Sequence, residues 1–268
     1  MEVSMRFSQQ QLQKYLQSAI KAASAAGKEI SSSFGGLFHV EKKGDINLVT
    51  ETDLAAEKAI KEILLAETPE INFYGEEGGG SGWKETPTWV ADPLDGTSNF
   101  AKGLPHFCVS IALCDKGLPI IGVIHQPLTN EVYTAVKGAG AFLNGKPLNV
   151  NDKTDLNDTL AATGFPYNRR SNLDLITSRV KNALAAAHDL RRLGSAALDL
   201  CFVARGIYGV YWEDSLMPWD VAAGMLIVEE AGGKISKFDG SIAYPDSKEI
   251  LATNGLLHET AIEKIIFV

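Results

Sequence analysis

The stretch at residues 89–100, WVADPLDGTSNF, joins a short apolar run to two carboxylates, Asp92 and Asp95. Pro93 restricts Asp92 to an extended backbone, and the Asp95-Gly96 pair favours a tight turn. Both carboxylates can therefore project into one pocket at the end of a strand. Two nearby carboxylates repel each other unless a cation lies between them, and oxygen-only ligands of this kind suit a hard ion such as Mg²⁺.

The residues that follow Asp95 indicate an anion site. Gly96 lets the backbone approach a ligand closely, and the amides of Gly96, Thr97 and Ser98, if they open a helix, can bind an anion. Metal ligands beside an anion site suggest a phosphate ester. The motif alone is equally compatible with an acidic turn that holds no ligand, so the inference depends on the rest of the chain.

Upstream of this stretch the sequence predicts two helices and two short strands. Ser8 followed by Gln11 matches a capping box, and apolar residues then recur at helical spacing over residues 12–30. A second helix is expected from about Leu54 to a Thr-Pro pair at 68–69. The segments INFYG and TWVAD are typical of strands, and their functional groups lie at their C-terminal ends.

Downstream, the pattern predicts an antiparallel meander over residues 107–148, in which FCVSIALC, PIIGVIHQ, EVYTAV and the hairpin AFL-NG-KPL are separated by turn signals. Helices are then expected over 173–187, 198–204 and 221–231, with IYGVYW as a strand. This order predicts a layered α/β sandwich. We expect one compact unit of two lobes: residues 1–155 form an α+β lobe with most of the site, and residues 156–268 form an α/β lobe that completes it.

Size, charge and cysteine content limit the kinds of protein that this chain can be. The chain has 268 residues, 45% of them hydrophobic, and 25 basic against 33 acidic residues give a net charge of -8. A chain of this size can bury a substantial core, and the absence of a dense basic block argues against nucleic acid as the main partner. The three cysteines lack metal-ligand spacing and are interpreted as buried residues in a reducing compartment. Without a leader pattern or a long apolar run, we expect a soluble, cytoplasmic protein that does not engage a membrane.

Three further segments carry acids at the ends of predicted elements. They are Glu76 in GEEGGG, Asp220 in PWDVAAG, and Asp53 beside Thr52 in TETD. Each has a plainer interpretation taken singly, as an acidic turn, a helix-dipole partner or an N-cap. Because element termini from different parts of a chain can converge on one pocket, their joint occurrence favours a single site.

These four segments make the chain resemble the inositol monophosphatase family, within the lithium-sensitive, Mg²⁺-dependent sugar phosphatases. The similarity rests on DINLVTETD, GEE, WVADPLDGTSNF, and PWDVAAG followed by EAGG. It implies a layered αβαβα fold, a homodimer, and hydrolysis of phosphate monoesters with two or three Mg²⁺ ions. The implied reaction is an in-line attack on phosphorus by a metal-activated water, with inositol 1-phosphate as the expected substrate.

The resemblance also implies roles for individual residues. The metal ligands would be the carboxylates of Glu76, Asp92, Asp95 and Asp220 with the backbone carbonyl of Leu94. Asp53 and Thr97 would orient the attacking water together with Glu76. The residues expected to contact substrate are Asp95, Gly96, Thr97, Gly194, Ser195, Ala196, Glu213 and Asp220. A Gly-Ser-Ala-Ala step at a helix start is also what close packing demands, so packing remains an equal alternative for Ser195 and Ala196.

The sequence leaves the substrate and a second role open. Fructose-1,6-bisphosphatase, histidinol-phosphatase and 3'-phosphoadenosine nucleotide phosphatase share the metal core that the resemblance implies. An interaction module with a regulatory role is the alternative from another class of protein. His106 and His125 are interpreted as structural, and Lys42 or Lys43 could reach the site from a polar loop.

Overall fold

The computed structural model describes residues 6–36, 40–42, 48–80, 82–166 and 168–267. Within these residues the chain forms the αβαβα sandwich. Helices α1 (Gln9–Ser33) and α2 (Glu51–Glu67) cover one face of a seven-stranded sheet. Between this sheet and a five-stranded sheet lie α5 (Ala196–Ala204) and α6 (Pro218–Glu230). The far face of the second sheet is covered by α4 (Leu173–Ala186), α7 (His258–Ala261) and a π-helical turn (Ile262–Ile266).

The larger sheet is the predicted meander with two further strands, Asn72–Gly75 and Thr88–Asp95, at one edge. Its strands follow chain order, and each adjacent pair is antiparallel except the first, which is parallel. They are β3 (Asn72–Gly75), β4 (Thr88–Asp95), β5 (Cys108–Asp115), β6 (Leu118–Gln126), β7 (Glu131–Val136), β8 (Ala141–Leu143) and β9 (Lys146–Pro147). Strands β1 (Val40–Lys42) and β2 (Leu48–Thr50) form a separate antiparallel pair, and the short helix α3 (Thr97–Ala101) follows β4.

The smaller sheet is mixed, with the strand order β11-β10-β12-β14-β13. Its strands are β10 (Leu160–Thr163), β11 (Asp189–Arg191), β12 (Tyr208–Asp214), β13 (Lys234–Ser236) and β14 (Glu249–Thr253). Single 3₁₀ turns span Leu156–Asp158 and Arg169–Ser171. The proposed lobe division near residue 155 lies between the last strand of one sheet and the first of the other, and we retain it as a proposal.

The central strands are apolar on both faces because both faces are covered. In β5, alternate residues belong to different cores: Val109, Ile111 and Leu113 pack with α1 and α2, whereas Cys108, Ala112 and Cys114 pack with α5 and α6. A Cβ on Gly122 of β6 would lie 2.7 Å from the carbonyl oxygen of Ala223, so the glycine allows α6 to lie directly on the sheet. This close packing brings the first turn of α6 over the end of β4.

The structure corrects some predicted boundaries. Helix α2 begins at Glu51 rather than near Leu54, because Thr50 is its N-cap. Strand β4 continues through a register shift between Asp92 and Asp95 instead of ending at Asp92. The three cysteines are buried free thiols, as expected. Across the described residues, no helix is both long enough and apolar enough to cross a membrane.

Candidate active site

The ends of four chain segments meet at a cavity of about 400 Å³ between the two sheets. Most of the predicted site residues line it, namely Glu76, Asp92, Leu94, Asp95, Gly96, Thr97, Gly194, Ala196, Glu213 and Asp220. Asp53 and Ser195 lie behind this surface, each only 1% exposed. Most of the candidate residues therefore line the cavity, whereas Asp53 and Ser195 contact the residues that line it.

The irregular end of β4 separates the two aspartates and gives each a backbone partner. Asp92 Oδ1 accepts a hydrogen bond from Leu94 N at 2.9 Å. Asp95 Oδ2 accepts from Ala197 N at 2.8 Å and from Ser195 Oγ at 2.6 Å, which places this carboxylate at the N-terminus of α5. Each carboxylate has one oxygen held by the protein. The Ser195 hydroxyl serves Asp95, so the structure favours a positioning role over direct substrate contact for this side chain.

Asp220 and Glu76 line the cavity from two different segments, the first turn of α6 and the turn after β3. Pro218 starts α6 at a position where no amide donor is required, and Asp220 Oδ2 in the same turn accepts from Met217 N at 2.7 Å. Glu76 follows β3, and its amide donates to Ala91 O of β4 at 3.2 Å. The parallel pairing of β3 with β4 therefore brings Glu76 to the same sheet end as Asp92.

Burial and mutual repulsion raise the pKa values of the clustered acids. The pKa of Asp92 lies well above its usual range because the side chain is desolvated and faces the charges of Glu76, Asp95 and Asp220. The pKa of Asp220 is also raised well above its usual range, chiefly by burial. Burial raises the pKa of Asp95 too, opposed by its hydrogen bonds to Ser195 and Ala197. Such perturbed acids in a cleft are typical of functional sites.

Asp53 and Thr97 form the hydrogen-bonded pair that the resemblance implies. Thr97 Oγ1 lies 3.0 Å from Asp53 Oδ1 and 2.9 Å from Leu94 O. Asp53 Oδ2 accepts from the amide of Thr50 at 2.8 Å and from its hydroxyl at 2.5 Å. Asp53 thus closes the capping box of α2 with one oxygen and holds Thr97 with the other. The helix-capping interpretation of this residue is confirmed, and its role in orienting water stays a prediction.

Glu213 lies at the end of β12, on the side of the cavity away from β3. Tyr211 Oη donates to its Oε2 at 2.6 Å, and burial raises the pKa of Glu213 to about 7 against the opposing effects of Tyr211 and Arg192. A Cβ on Gly164 would lie 1.8 Å from the Glu213 carboxylate. The glycine in ATGFP therefore makes room for this side chain, a signal that the sequence carries but our interpretation missed.

The donor set fits a hard cation. Carboxylate and carbonyl oxygens line the cavity wall, and a cation would relieve the repulsion that raises their pKa values. Among the described residues, no three acidic, imidazole or thiol side chains converge closely enough to form a complete cage.

Comparison with known proteins decides the family. The inositol monophosphatase family model matches residues 11–267. The chain belongs to the inositol monophosphatase family. It is 41% identical to "Inositol-1-monophosphatase" from Synechocystis, covering 94% of this chain and 89% of that protein, and 40% identical to "Nus factor SuhB" from Pasteurella multocida, covering 92% and 94%. The structure of inositol monophosphatase from Anabaena superposes with a TM-score of 0.87 at 36% identity, over 96% of each chain.

Membership of the inositol monophosphatase family supports a phosphatase activity, and the family is generally metal-dependent. The two relatives carry different names at nearly equal identity, so similarity does not select a substrate. Residues 43–47, which include Lys43 and the start of DINLVTETD, lie outside the described residues, as does the side chain of Lys42.

Sequence reasoning missed two residues of this inositol monophosphatase site. Asn99 Nδ2 donates to His106 O and to Leu193 O, both at 2.8 Å, and so ties α3 to the loop before α5. Glu57 on α2 accepts from Glu77 N at 2.8 Å and from Gly78 N at 2.6 Å. Neither has a recognisable pattern, since an asparagine in TSNF and a glutamate in AAEKAI are ordinary helix residues.

Proposed function

We propose that this protein is a Mg²⁺-dependent phosphate monoester hydrolase, with inositol 1-phosphate as its preferred substrate. One observation carries the proposal: Glu76, Asp92, Asp95 and Asp220, from four separate segments, line one cavity beside the turn at Gly96. Four clustered acids, of which Asp92 is only 2% exposed, repel one another and destabilise a fold unless they bind cations. The neighbouring backbone amides then suit the anion that such cations recruit.

In this proposal the acids and the Leu94 carbonyl hold two or three Mg²⁺ ions. The oxygens of Asp92, Asp95 and Asp220 that do not bond to backbone amides would face the metals. When bound, Mg²⁺ would neutralise the phosphate and acidify a water molecule. The amides of Thr97 and Ser98 precede the first intrahelical bond of α3, from Asn99 N to Gly96 O, and would donate to the phosphate.

Asp53, Thr97 and Glu76 would place the attacking water. When Thr97 donates its single hydroxyl proton to Asp53, at 3.0 Å, its lone pairs are left to accept from the water. Glu76 would accept the second proton from the other side. Two acceptors fix the water in direction as well as in position, and such alignment accounts for a large share of the rate in phosphoryl transfer.

The far wall would recognise the alcohol part of the substrate. Glu213 offers a carboxylate and Ala196 a backbone position at the rim of the cavity. Gly194 has a φ of +88°, a backbone conformation that other residues rarely adopt, so the loop favours a glycine at this position. These groups match a polyhydroxylated substrate, whose hydroxyls donate to the carboxylate and accept from amides.

A second candidate is a substrate that carries another anionic group. The guanidinium groups of Arg169 and Arg192 line the same cavity. Arg192 lies over the ring of Phe165 at 5.4 Å and makes no ion pair with the described residues. An available guanidinium favours a second phosphate, as in fructose 1,6-bisphosphate or 3'-phosphoadenosine 5'-phosphate.

The test is phosphate release from the purified protein with inositol 1-phosphate, fructose 1,6-bisphosphate, histidinol phosphate and 3'-phosphoadenosine 5'-phosphate, with Mg²⁺ and with EDTA. Mg²⁺-dependent turnover that favours inositol 1-phosphate is the expected result. Preference for a bisphosphate would instead select the second candidate. No turnover by protein that circular dichroism shows to be folded would refute the phosphatase proposal and leave the interaction role.

A further inference from the structure

Glu57 is a buried glutamate whose carboxylate binds the turn that carries Glu76. Its side chain leaves the middle of α2 and is 6% exposed. Oε2 accepts from Glu77 N at 2.8 Å, and Oε1 accepts from Gly78 N at 2.6 Å. Both carboxylate oxygens are therefore used on consecutive amides of one turn, and hydrogen bonds to a buried charge are among the stronger ones in proteins.

Two glycines of the turn leave open the space that this carboxylate occupies. A Cβ on Gly75 would lie 2.3 Å from Glu57 Oε2, and a Cβ on Gly78 would lie 2.7 Å from Oε1. Contacts under 3.0 Å are essentially never made by real Cβ atoms. The glycines on either side of the Glu-Glu pair, Gly75 and Gly78, are thus matched to Glu57.

Helix α2 connects this turn to the other half of the proposed water site. Asp53 and Glu57 are four residues apart and so lie on one face of the helix. Asp53 holds Thr97 at 3.0 Å, and Glu57 holds the amides directly after Glu76. One rigid element therefore sets the separation of Thr97 and Glu76, the two groups that would orient the attacking water.

We infer that Glu57 is a positioning residue for the hydrolysis: it fixes Glu76 relative to Thr97 through α2. This inference rests on the proposed function for its catalytic part. The turn is also held by Glu76 N, which donates to Ala91 O at 3.2 Å, and by its own pairing of Gly75 with Gly79. Those bonds fix the turn to β4 but not to α2. Partners that orient metal-binding side chains typically change affinity or activity about 10–100-fold when they are removed.

The test compares Glu57→Gln with Glu62→Gln, which alters an exposed glutamate on the same helix. Glutamine keeps one acceptor but turns its amide group towards a backbone N–H, so one bond is lost. We expect kcat to fall about 10–100-fold and the half-saturating Mg²⁺ concentration to rise about tenfold, while the substrate KM changes little. Titration calorimetry with Mn²⁺ should show the same weakening without any turnover. Glu62→Gln should match the wild type in both measurements.

A double-substitution cycle with Glu76→Gln separates positioning from general stability. If Glu57 acts through Glu76, the double variant binds Mn²⁺ and turns over substrate no worse than Glu76→Gln alone. Independent, additive losses would overturn the inference. So would wild-type Mn²⁺ affinity in folded Glu57→Gln.

A second variant covers the case in which Glu57→Gln does not fold. Gly78→Ala leaves Glu57 intact but displaces its carboxylate, since the added Cβ would lie 2.7 Å from Oε1. We expect the same weakening of Mn²⁺ binding, and unchanged binding would overturn the inference. If the wild type hydrolyses none of the tested esters, the proposed function fails, whereas the Mn²⁺ titrations still decide whether Glu57 positions Glu76.

Discussion

Replacing Glu213 by glutamine is expected to stabilise the metal-free protein at neutral and alkaline pH. Burial raises the pKa of Glu213 from 4.5 to about 7. An acid whose pKa is higher in the folded than in the unfolded state binds more protons when folded. The free energy of unfolding therefore falls as pH rises between the two values. The ionisation of Glu213 contributes nothing to the free energy of unfolding well below pH 4.5, and it lowers that free energy by its full amount above pH 7.

The size of the effect follows from the two pKa values. At 1.36 kcal/mol for each pKa unit, the difference between 4.5 and about 7 lowers the free energy of unfolding by about 3 kcal/mol above pH 7. Most of this loss develops between pH 5 and pH 8. Glutamine has no such titration, and its amide oxygen can still accept from Tyr211 Oη, now 2.6 Å from Oε2.

Urea unfolding in EDTA at pH 5, 6.5 and 8 measures this difference. The stability advantage of Glu213→Gln over the wild type should grow by about 2–3 kcal/mol across that range, while Glu62→Gln should follow the wild type. With saturating Mg²⁺ the advantage should shrink, because bound cations favour the ionised acids. A constant difference between Glu213→Gln and wild type at all three pH values would refute the reasoning.

Three further substitutions test other parts of the site and the fold. Asp92→Asn should keep the fold, since its amide oxygen can still accept from Leu94 N. It should lower kcat about 10³-fold because metal-dependent stabilisation is lost, and Mg²⁺-dependent phosphate release measures this loss. His258→Gln should lower the free energy of unfolding by about 1–3 kcal/mol at pH 7, because the imidazole lies between two buried hydroxyls. Since burial lowers the pKa of His258 to about 4, the wild type should lose stability as pH falls from 6.5 towards 4, and urea unfolding of the variant should lack that part of the loss. Arg192→Gln should raise the KM for fructose 1,6-bisphosphate about tenfold, whereas initial rates of Arg170→Gln, at an exposed position outside the cavity wall, should be unchanged.

The sequence predicted long elements and the acidic half of the site because both leave local signals. The capping box at Ser8 and the meander over residues 107–148 are confirmed, as strong periodicity and turn residues fix them without tertiary context. Strands of three residues, such as β11 and β13, were missed. A three-residue strand shows too little alternation to be recognised, and only pairing with its neighbour defines it.

Residues that act on the backbone of another segment escaped prediction. Glu57 accepts from an amide 20 residues away in the sequence, and Asn99 donates to a carbonyl 94 residues away. The residues near Glu57 and Asn99 in the sequence therefore give no sign of these contacts. The effect of Glu57 appears instead at its partners, as glycines at 75 and 78. Ser195 shows the same limit: its position was predicted correctly, but its hydroxyl serves Asp95 and not the cavity.

The proposed metal site also joins the two halves of the molecule. Asp95 at the end of the larger sheet accepts from the first turn of α5, and Asn99 donates to Leu193 O in the loop before it. Asp220 reaches the same cavity from α6, which packs on both sheets. A cation bound by Asp95 and Asp220 would therefore add a connection between the end of the larger sheet and α6, beside the hydrogen bond that Ser110 Oγ donates to Trp219 O. Because ligands that bind only the folded state stabilise it, bound Mg²⁺ should strengthen this junction as well as enable hydrolysis.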